Sequence, residues 1–458
     1  MLKSFEKEIS MNVAFVCTGE FEPFFYECVI KNNYGVGINP FYVAFFADTR
    51  AAVKKIKKEM YPKVISFNQY LKKDYSDCLL EKEELEDVVY YDSLRRSFGK
   101  NTEIKRQLIN KAVYYEYFFR KFYSDNHIEA VVVWNYFPVT VNVAWRVAKK
   151  LKIKTIFFEN GPLSNTLMID SQGVNFQSSL ALRKKEFFEN QKLPPKGWKK
   201  YLQNYPQKRT EAYKKNRGIM NPLLKFYYAL LMRNKKYRRI FPELTDDNIR
   251  KSLWKKMFSR IIISKKIKLP KKFVFIPFQY SHDTQVLVNS PFVANMEAFL
   301  DSCYSALKEV DSCCRIVVKE HPDDFCRKSY KKLRKKYPDV VWLAKYDIQE
   351  LIRKSQAVIT INSSVGIAAL VEEKPVITLG KSFYNIDGVV YYSPNLPELR
   401  KSMKKVLSGV INKPLINRFL YYLRFEYLAE GNPRYCTVES LAGACRKLEK
   451  ILMEKNNE

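Results

Sequence analysis

Beyond Pro270 the chain alternates short apolar runs with longer stretches of helical spacing, and this alternation constrains the fold more than any other feature. The runs fall at residues 273–278, 315–319, 340–344, 357–361 and 375–379. Helical spacing fills the gaps at 293–310, 326–336, 348–354 and 365–372. Each run is the length of a strand and is apolar almost throughout, as a strand covered on both faces must be. Strand, helix and strand in repetition predict a doubly wound parallel sheet.

A weaker form of the same pattern occupies the N-terminal part. Apolar runs at 11–17, 41–46, 130–134 and 155–158 are joined by helical segments that include 101–126 and 139–151, with Gly35, Gly37 and Pro40 marking a turn. Residues 130–158 read as one βαβ unit. The rings of Tyr114, Tyr115, Tyr117, Phe118, Phe119 and Phe122 form a packing stripe on the long helix. No GxGxxG follows the first run, so the dinucleotide fingerprint is missing. Between the two alternating regions, residues 180–256 break the pattern with Lys, Arg and aromatic residues intermingled. The expected organisation is therefore α/β, with two Rossmann-like doubly wound domains facing a cleft. Residues 1–179 form an N-terminal Rossmann-like domain, and 180–265 a basic aromatic helical insert. Residues 266–410 form a C-terminal Rossmann-like domain, and 411–458 C-terminal helices. Such tails often pack back on the first domain of two-domain α/β enzymes.

The charge balance narrows the partners. Eighty Lys and Arg against 48 Asp and Glu leave a formal charge of +32, which calls for a polyanionic partner: nucleic acid, an anionic membrane face or a phosphorylated substrate. Residues 222–240 suit a basic aromatic helix on an anionic membrane, and equally a solvated helix between domains. Basic and aromatic residues also suit single-stranded nucleic acid, but no RNP-type, helix-turn-helix or zinc-finger pattern accompanies them, so no specific nucleic acid is expected. The nine cysteines include no CxxC pair and predict neither a zinc site nor a disulfide framework. The charged start and the lack of a long apolar run predict no signal peptide and no spanning helix. The expected location is cytoplasmic, peripheral on the inner face of the plasma membrane.

Chemistry is expected where parallel strands end. The run at 273–278 leads into Gln279, Tyr280, Ser281, His282 and Asp283; the run at 315–319 ends in Lys319, Glu320, His321 and Pro322; the run at 357–361 leads into Asn362, Ser363 and Ser364. All three joints fall on one rim. Two of the three histidines in the chain lie there, while His127 at a helix end is structural. Pro322 holds His321 extended, and beside Lys319 its imidazole is suited to grip a phosphate or protonate a leaving group; capping or core packing is the plainer use of such a residue. Asp283 reads either as a helix cap or as a carboxylate aimed into the cleft as nucleophile or base. The Ser363–Ser364 pair reads as a cap whose helix leaves backbone N–H groups outward, an anion site. In the N-terminal domain, Glu159, Asn160 and Gly161 read as a tight turn or as a carboxylate at the ligand edge. No DxD, HxH or HExxH suggests a metal, and no P-loop is present.

The ordered set FIPFQYSHDTQ, KEHP, ITINSSVGIAAL and EEKPVITLG, together with FFENGPLSNTLMIDSQGVN upstream, resembles the capsule polysaccharide biosynthesis family. Its members include β-Kdo glycosyltransferases. The match spans roughly 131–177 and 273–388, and leaves the insert poorly matched. The resemblance implies a GT-B-like fold, transfer from CMP-Kdo to a lipid-linked, phosphatidylglycerol-type acceptor with retention of configuration, and neither cofactor nor metal. It makes Asp283 the catalytic carboxylate and Glu159 an acceptor-side acid or base. His321 and Pro322 then hold the cytidine monophosphate, and Ser363 and Ser364 its phosphate. Gln279, Lys319, Asn362, Asn160 and Gly161 complete the substrate-binding set. The implied partners are a CMP-activated sugar, an anionic lipid or lipid-linked glycan at the cytoplasmic membrane face, and other capsule assembly proteins. A transferase using CMP-sialic acid, or a non-catalytic assembly or export factor, is the alternative.

Overall fold

The computed structural model describes residues 10–32, 35–45, 47–61, 78–95, 102–202, 268–281, 283–322, 324, 330–433 and 436–454. His282 and most of the basic insert, including the helix expected over 222–240, lie outside the described residues.

The first elements are β1 (Ser10–Cys17), α1 (Glu22–Ile30), β2 (Gly37–Ala44), α2 (Ala47–Lys55), β3 (Met60–Tyr61), α3 (Lys82–Arg95) and α4 (Thr102–Asp125). Next come β4 (Ala130–Trp134), α5 (Val139–Lys150), β5 (Lys154–Asn160), β6 (Thr166–Asp170) and α6 (Lys185–Glu189). The second alternation runs β7 (Phe273–Pro277), α7 (Thr284–Leu287), α8 (Met296–Val310), β8 (Arg315–Lys319), α9 (Lys331–Lys336), β9 (Val341–Leu343), α10 (Ile348–Lys354), β10 (Val358–Thr360), α11 (Val365–Val371), β11 (Val376–Thr378) and β12 (Tyr391–Tyr392). It is followed by α12 (Leu396–Leu407), α13 (Lys413–Tyr422), β13 (Ala429–Glu430) and α14 (Ala442–Met453).

These elements form two compact units. Among the described residues, 10–174 and 428–454 make the first, and 175–202 with 268–427 the second. In the first unit a seven-stranded sheet runs β13-β6-β5-β4-β1-β2-β3. Strands β3, β2, β1, β4 and β5 are parallel; β6 joins antiparallel to β5, and β13 antiparallel to β6. In the second unit a six-stranded sheet, all parallel, runs β12-β11-β10-β7-β8-β9. Counted from β7, its order is the 3-2-1-4-5-6 of a Rossmann-type sheet. Both expected Rossmann-like sheets are present.

The strands form where the sequence is apolar enough to be covered on both faces. Every residue of β4 and of β7 is buried. Each fully buried valine in them is worth about 2 kcal/mol. Several helices of the second unit start at side-chain caps: Asn295 accepts from the Ala298 N–H, Asp347 from Glu350 and Asn395 from Glu398.

The partition of the chain differs from the four consecutive segments expected. Residues 180–202 pack with the second unit, as does α13, while β13 and α14 belong to the first. The reason lies in pairing: β13 hydrogen-bonds to the free edge of β6, and Leu448 and Leu452 of α14 enter the same core as Ile156, Phe158 and Ile169.

Candidate active site at the carboxyl rim of the second sheet

In the second sheet the strand order reverses between β7 and β10. Open α/β sheets bind ligands outside the carboxyl ends of strands at such a reversal. The Gln279 joint follows β7 and the Asn362 joint follows β10, so the structure puts these two on either side of it. The Lys319–Pro322 joint at the end of β8 is the next neighbour.

Gln279 and Asn362 are buried and bind each other across 83 residues of sequence. Gln279 Nε2 donates to Asn362 Oδ1 at 3.0 Å, and Gln279 Oε1 accepts from the Thr360 hydroxyl and the Asn362 N–H at 3.3 and 3.2 Å. Asn362 Nδ2 in turn lies within donating distance of the carbonyls of Gln285, Asn289 and Lys381. Both side chains are thus occupied by the protein itself, and they fasten the two joints together. Gly380 completes this seat, because a Cβ there would fall 2.9 Å from Asn362 Nδ2 and 2.7 Å from Ile361 Cγ2.

Asp283 is half-buried and caps α7. Its Oδ1 accepts from the Gln285 N–H at 3.0 Å and from the Thr284 hydroxyl at 3.2 Å. His321 is half-buried with its ring 6.0 Å from that of Tyr280, and Pro322 is exposed. Glu320 turns away from ligand chemistry: it is buried and paired with Arg334. Lys319 is different. Burial pulls its pKa below the usual lysine value, and among the described residues no hydrogen bond or ion pair engages its ammonium. A half-buried cation left uncompensated at a strand end favours an anionic ligand.

The Ser363–Ser364 joint departs from expectation. The N–H groups of Ser363, Val365 and Gly366 donate to Thr360 Oγ1, Ser363 Oγ and the Ser363 carbonyl, so they do not face outward. The short loop folds back on itself and leaves the exposed Ser364, which makes no side-chain cap, as the polar group it offers. Tyr384 donates to the Ser363 carbonyl at 2.6 Å, and Gly366 leaves room for that ring, since a Cβ there would sit 2.7 Å from the Tyr384 hydroxyl.

Glu159, Asn160 and Gly161 lie in the first unit, at the end of β5, where they turn the chain into antiparallel β6. The Gly161 N–H donates to the Thr166 carbonyl at 2.7 Å, and a Cβ at Gly161 would lie 2.1 Å from Thr166 Oγ1, so only glycine fits. Glu159 Oε1 accepts from the Asn160 N–H at 2.8 Å.

Sequence reasoning missed three groups. Asp324, buried, accepts from the Ser281 N–H and hydroxyl at 2.9 and 3.1 Å and so ties the β8 joint to the β7 joint. Tyr384 is the second. The third is Glu22, at the end of β1 beside the reversal of the first sheet between β1 and β4. It is 2 % exposed and accepts from the Thr18 N–H at 2.7 Å. Burial drives its pKa to about 8, against the opposing pull of the Thr18 and Gly19 N–H groups, and the charge of Glu159 adds to the rise. The carboxyl-edge rule applied to the exit of β1 would have flagged Glu22; nothing local flags Asp324 or Tyr384. Among the described residues no group of three or more His, Cys, Asp or Glu side chains is placed to hold a metal.

Two Rossmann-type sheets, one with a polar, cation-bearing rim at its reversal, define the class of fold and the candidate site. The model of the family described as capsule polysaccharide biosynthesis protein matches residues 129–418, and the chain belongs to that family. The Protein FixF of Sinorhizobium fredii is 37% identical over 161 residues, covering 35% of this chain and 39% of that protein. The capsule polysaccharide export protein KpsS of Escherichia coli is 26% identical over 271 residues, covering 54% of this chain and 66% of that one. The chain thus spans less than two thirds of the length of either. Among solved structures, the β-Kdo 2,4 transferase of Thermosulfurimonas dismutans KpsC is 16% identical with a TM-score of 0.38, covering 69% of this chain and 87% of that chain.

Proposed function

We propose that this chain is a glycosyltransferase that moves a β-Kdo-type sugar from CMP-Kdo to a lipid-linked, phosphatidylglycerol-type acceptor in capsular polysaccharide synthesis. The observation that carries the reading is the Lys319 ammonium, without a counter-charge among the described residues, two positions before His321 and next to the strand reversal framed by Gln279 and Asn362. A nucleoside monophosphate ester supplies the anion that such a rim lacks.

In this reading Lys319, His321 and the Ser364 hydroxyl hold the cytidine monophosphate, while Pro322 and Ser363 shape the seat. Asp283 attacks the anomeric carbon, the bond to the phosphate oxygen breaks, and cytidine monophosphate leaves with the electron pair. The acceptor hydroxyl then displaces Asp283 and loses its proton to a general base; Glu159, with Asn160 and Gly161, is the acceptor-side candidate that the family resemblance supplies. Retention and independence of metal belong to the same reading and rest on the family resemblance. The acceptor lipid would meet the protein at the cytoplasmic membrane face. Among the described residues no helix is long and apolar enough to cross a membrane, and the +32 charge suits an anionic surface.

The test is release of cytidine monophosphate from CMP-Kdo in the presence of a phosphatidylglycerol-type acceptor. Asp283→Asn is expected to abolish release without unfolding α7, because asparagine caps a helix as well as aspartate does. Turnover near the wild-type rate in that variant removes Asp283 from the mechanism. One observation favours a second reading, a non-catalytic assembly factor: Asp283 Oδ1 is already committed to Gln285 and Thr284. Binding of CMP-Kdo without release would support it, and a panel of nucleotide sugars including CMP-sialic acid separates the donor classes.

A further inference from the structure

Away from the rim, the second unit holds a cavity that none of the residues discussed above lines. Residues 190–195 follow α6 and face the end of α13, enclosing about 490 Å³. Aromatic contacts hold the two walls: Phe187 meets Tyr422 at 5.0 Å, Phe188 meets Phe419 at 5.4 Å and Trp198 meets Tyr421 at 5.6 Å. These contacts hold the two walls of an open groove, with Phe188 and Trp198 buried beneath it.

The lining is chemically mixed. Asn190 and Gln191 stand on one side and Arg418, Tyr421, Tyr422 and Glu426 on the other. Glu426 comes from a π-turn, Leu423–Tyr427, that continues α13. Single π-turns recur at functional sites because the extra residue redirects side chains that a regular helix would bury or expose. Arg418 Nε is buried and has no hydrogen-bond partner among the described residues. A buried donor left unpaired costs stability unless something else completes it.

Planar amides both donate to and accept from vicinal hydroxyls, a carboxylate accepts from them, and tyrosine faces pack against the C–H face of a pyranose. A guanidinium adds recognition of a carboxylate. The volume is in the range of small-ligand sites and accommodates roughly two to three sugar rings. The family to which the chain belongs builds polysaccharide. We infer that this cavity holds a segment of an acidic oligosaccharide, apart from the nucleotide chemistry of the rim. The inference rests on the cavity and on family membership, not on the proposed donor.

The test uses isothermal titration and saturation-transfer NMR on the full chain at about 150 mM salt, where long-range attraction is screened. The probes are tetrasialic acid, tetragalacturonic acid and a heparin-derived tetrasaccharide, with maltotetraose as the neutral control. Binding of at least one acidic probe and not of maltotetraose is expected. Arg418→Ala should weaken it roughly tenfold, with Arg418→Gln as the second variant if the first melts early. Arg353→Ala on α10 removes the same charge elsewhere and should leave binding unchanged. No binding of any acidic probe, equal binding of maltotetraose, or an equal loss in Arg353→Ala overturns the inference. Cytidine monophosphate should stabilise the wild type and Arg418→Ala alike; loss of that response with Arg418 would merge the two sites and also overturn it. Failure of the nucleotide alone to stabilise either protein counts against the donor reading and leaves the saccharide result to stand by itself.

Discussion

The two sheets share a strand order through five positions, yet the ends of their strands at the reversal are built from opposite materials. In the second unit the reversal is dressed with amides that bind each other, and Lys319 beside them has no counter-charge among the described residues. In the first unit, aromatic rings crowd the same place. Phe21 and Phe25 meet Trp134 edge-on at 5.2 and 5.6 Å, and the buried Glu22 sits among them. One rim carries a half-buried cation with no counter-charge among the described residues; at the other, burial raises the pKa of a carboxyl to about 8. Common topology places the joints, and the residues after each strand decide the chemistry.

The largest effect that would sharpen this contrast comes from Gln279→Ala. It strips the partner from Asn362 and Thr360 in a buried network, and a loss of about 3 kcal/mol is expected in a urea melt. A loss below about 0.5 kcal/mol would mean that the amides face ligand or water rather than each other.

Glu22 offers the next test. Its folded pKa, about 8, lies above the ordinary 4.5. Below pH 4.5 both folded and unfolded chains carry the proton, and no penalty arises. As pH rises toward 8 the unfolded carboxyl ionises while the folded one cannot, so stability drains away across that window. Glu22→Gln should therefore gain on the wild type by roughly 3 kcal/mol between pH 5 and pH 8 in thermal melts. A gap that does not change with pH would place Glu22 in contact with water.

A tenfold loss of cytidine monophosphate affinity, about 1.4 kcal/mol, is expected of Lys319→Gln by titration calorimetry. Because burial lowers the Lys319 pKa, wild-type affinity should fall on the alkaline side sooner than an ordinary lysine would allow. An unchanged affinity would dissolve the distinction between the rims. The smallest effect belongs to Ser364→Ala, roughly twofold to threefold, since only a hydroxyl is lost and the neighbouring N–H groups of Ser363, Val365 and Gly366 are already spent within the chain.

Much of the fold was legible beforehand because it rests on short-range signals. The run at 315–319 and the helix at 348–354 fall where β8 and α10 are, and 130–134 is β4. Apolar length separates a buried strand from a helix, and a cap such as Asp347 marks where the helix begins. The positions of Gln279, Lys319, His321 and Asn362 at strand ends followed from the same alternation. The antiparallel β6, which follows the turn expected at Glu159–Gly161, was not anticipated, because nothing within Thr166–Asp170 states the direction of its neighbour.

By itself, then, the sequence determined that two parallel α/β sheets form and that polar joints gather at one edge of the second, since both depend on patterns a few residues long. Only the tertiary structure decided what those joints do. It paired Gln279 with Asn362, gave Asp324 to Ser281, closed Tyr384 over Ser363, and left Lys319 unanswered among the described residues. It also returned the tail to the first sheet through β13. Hydrogen bonds between residues tens to hundreds of positions apart, and the burial that sets a carboxyl or an ammonium off its ordinary pKa, exist only once the chain has closed on itself.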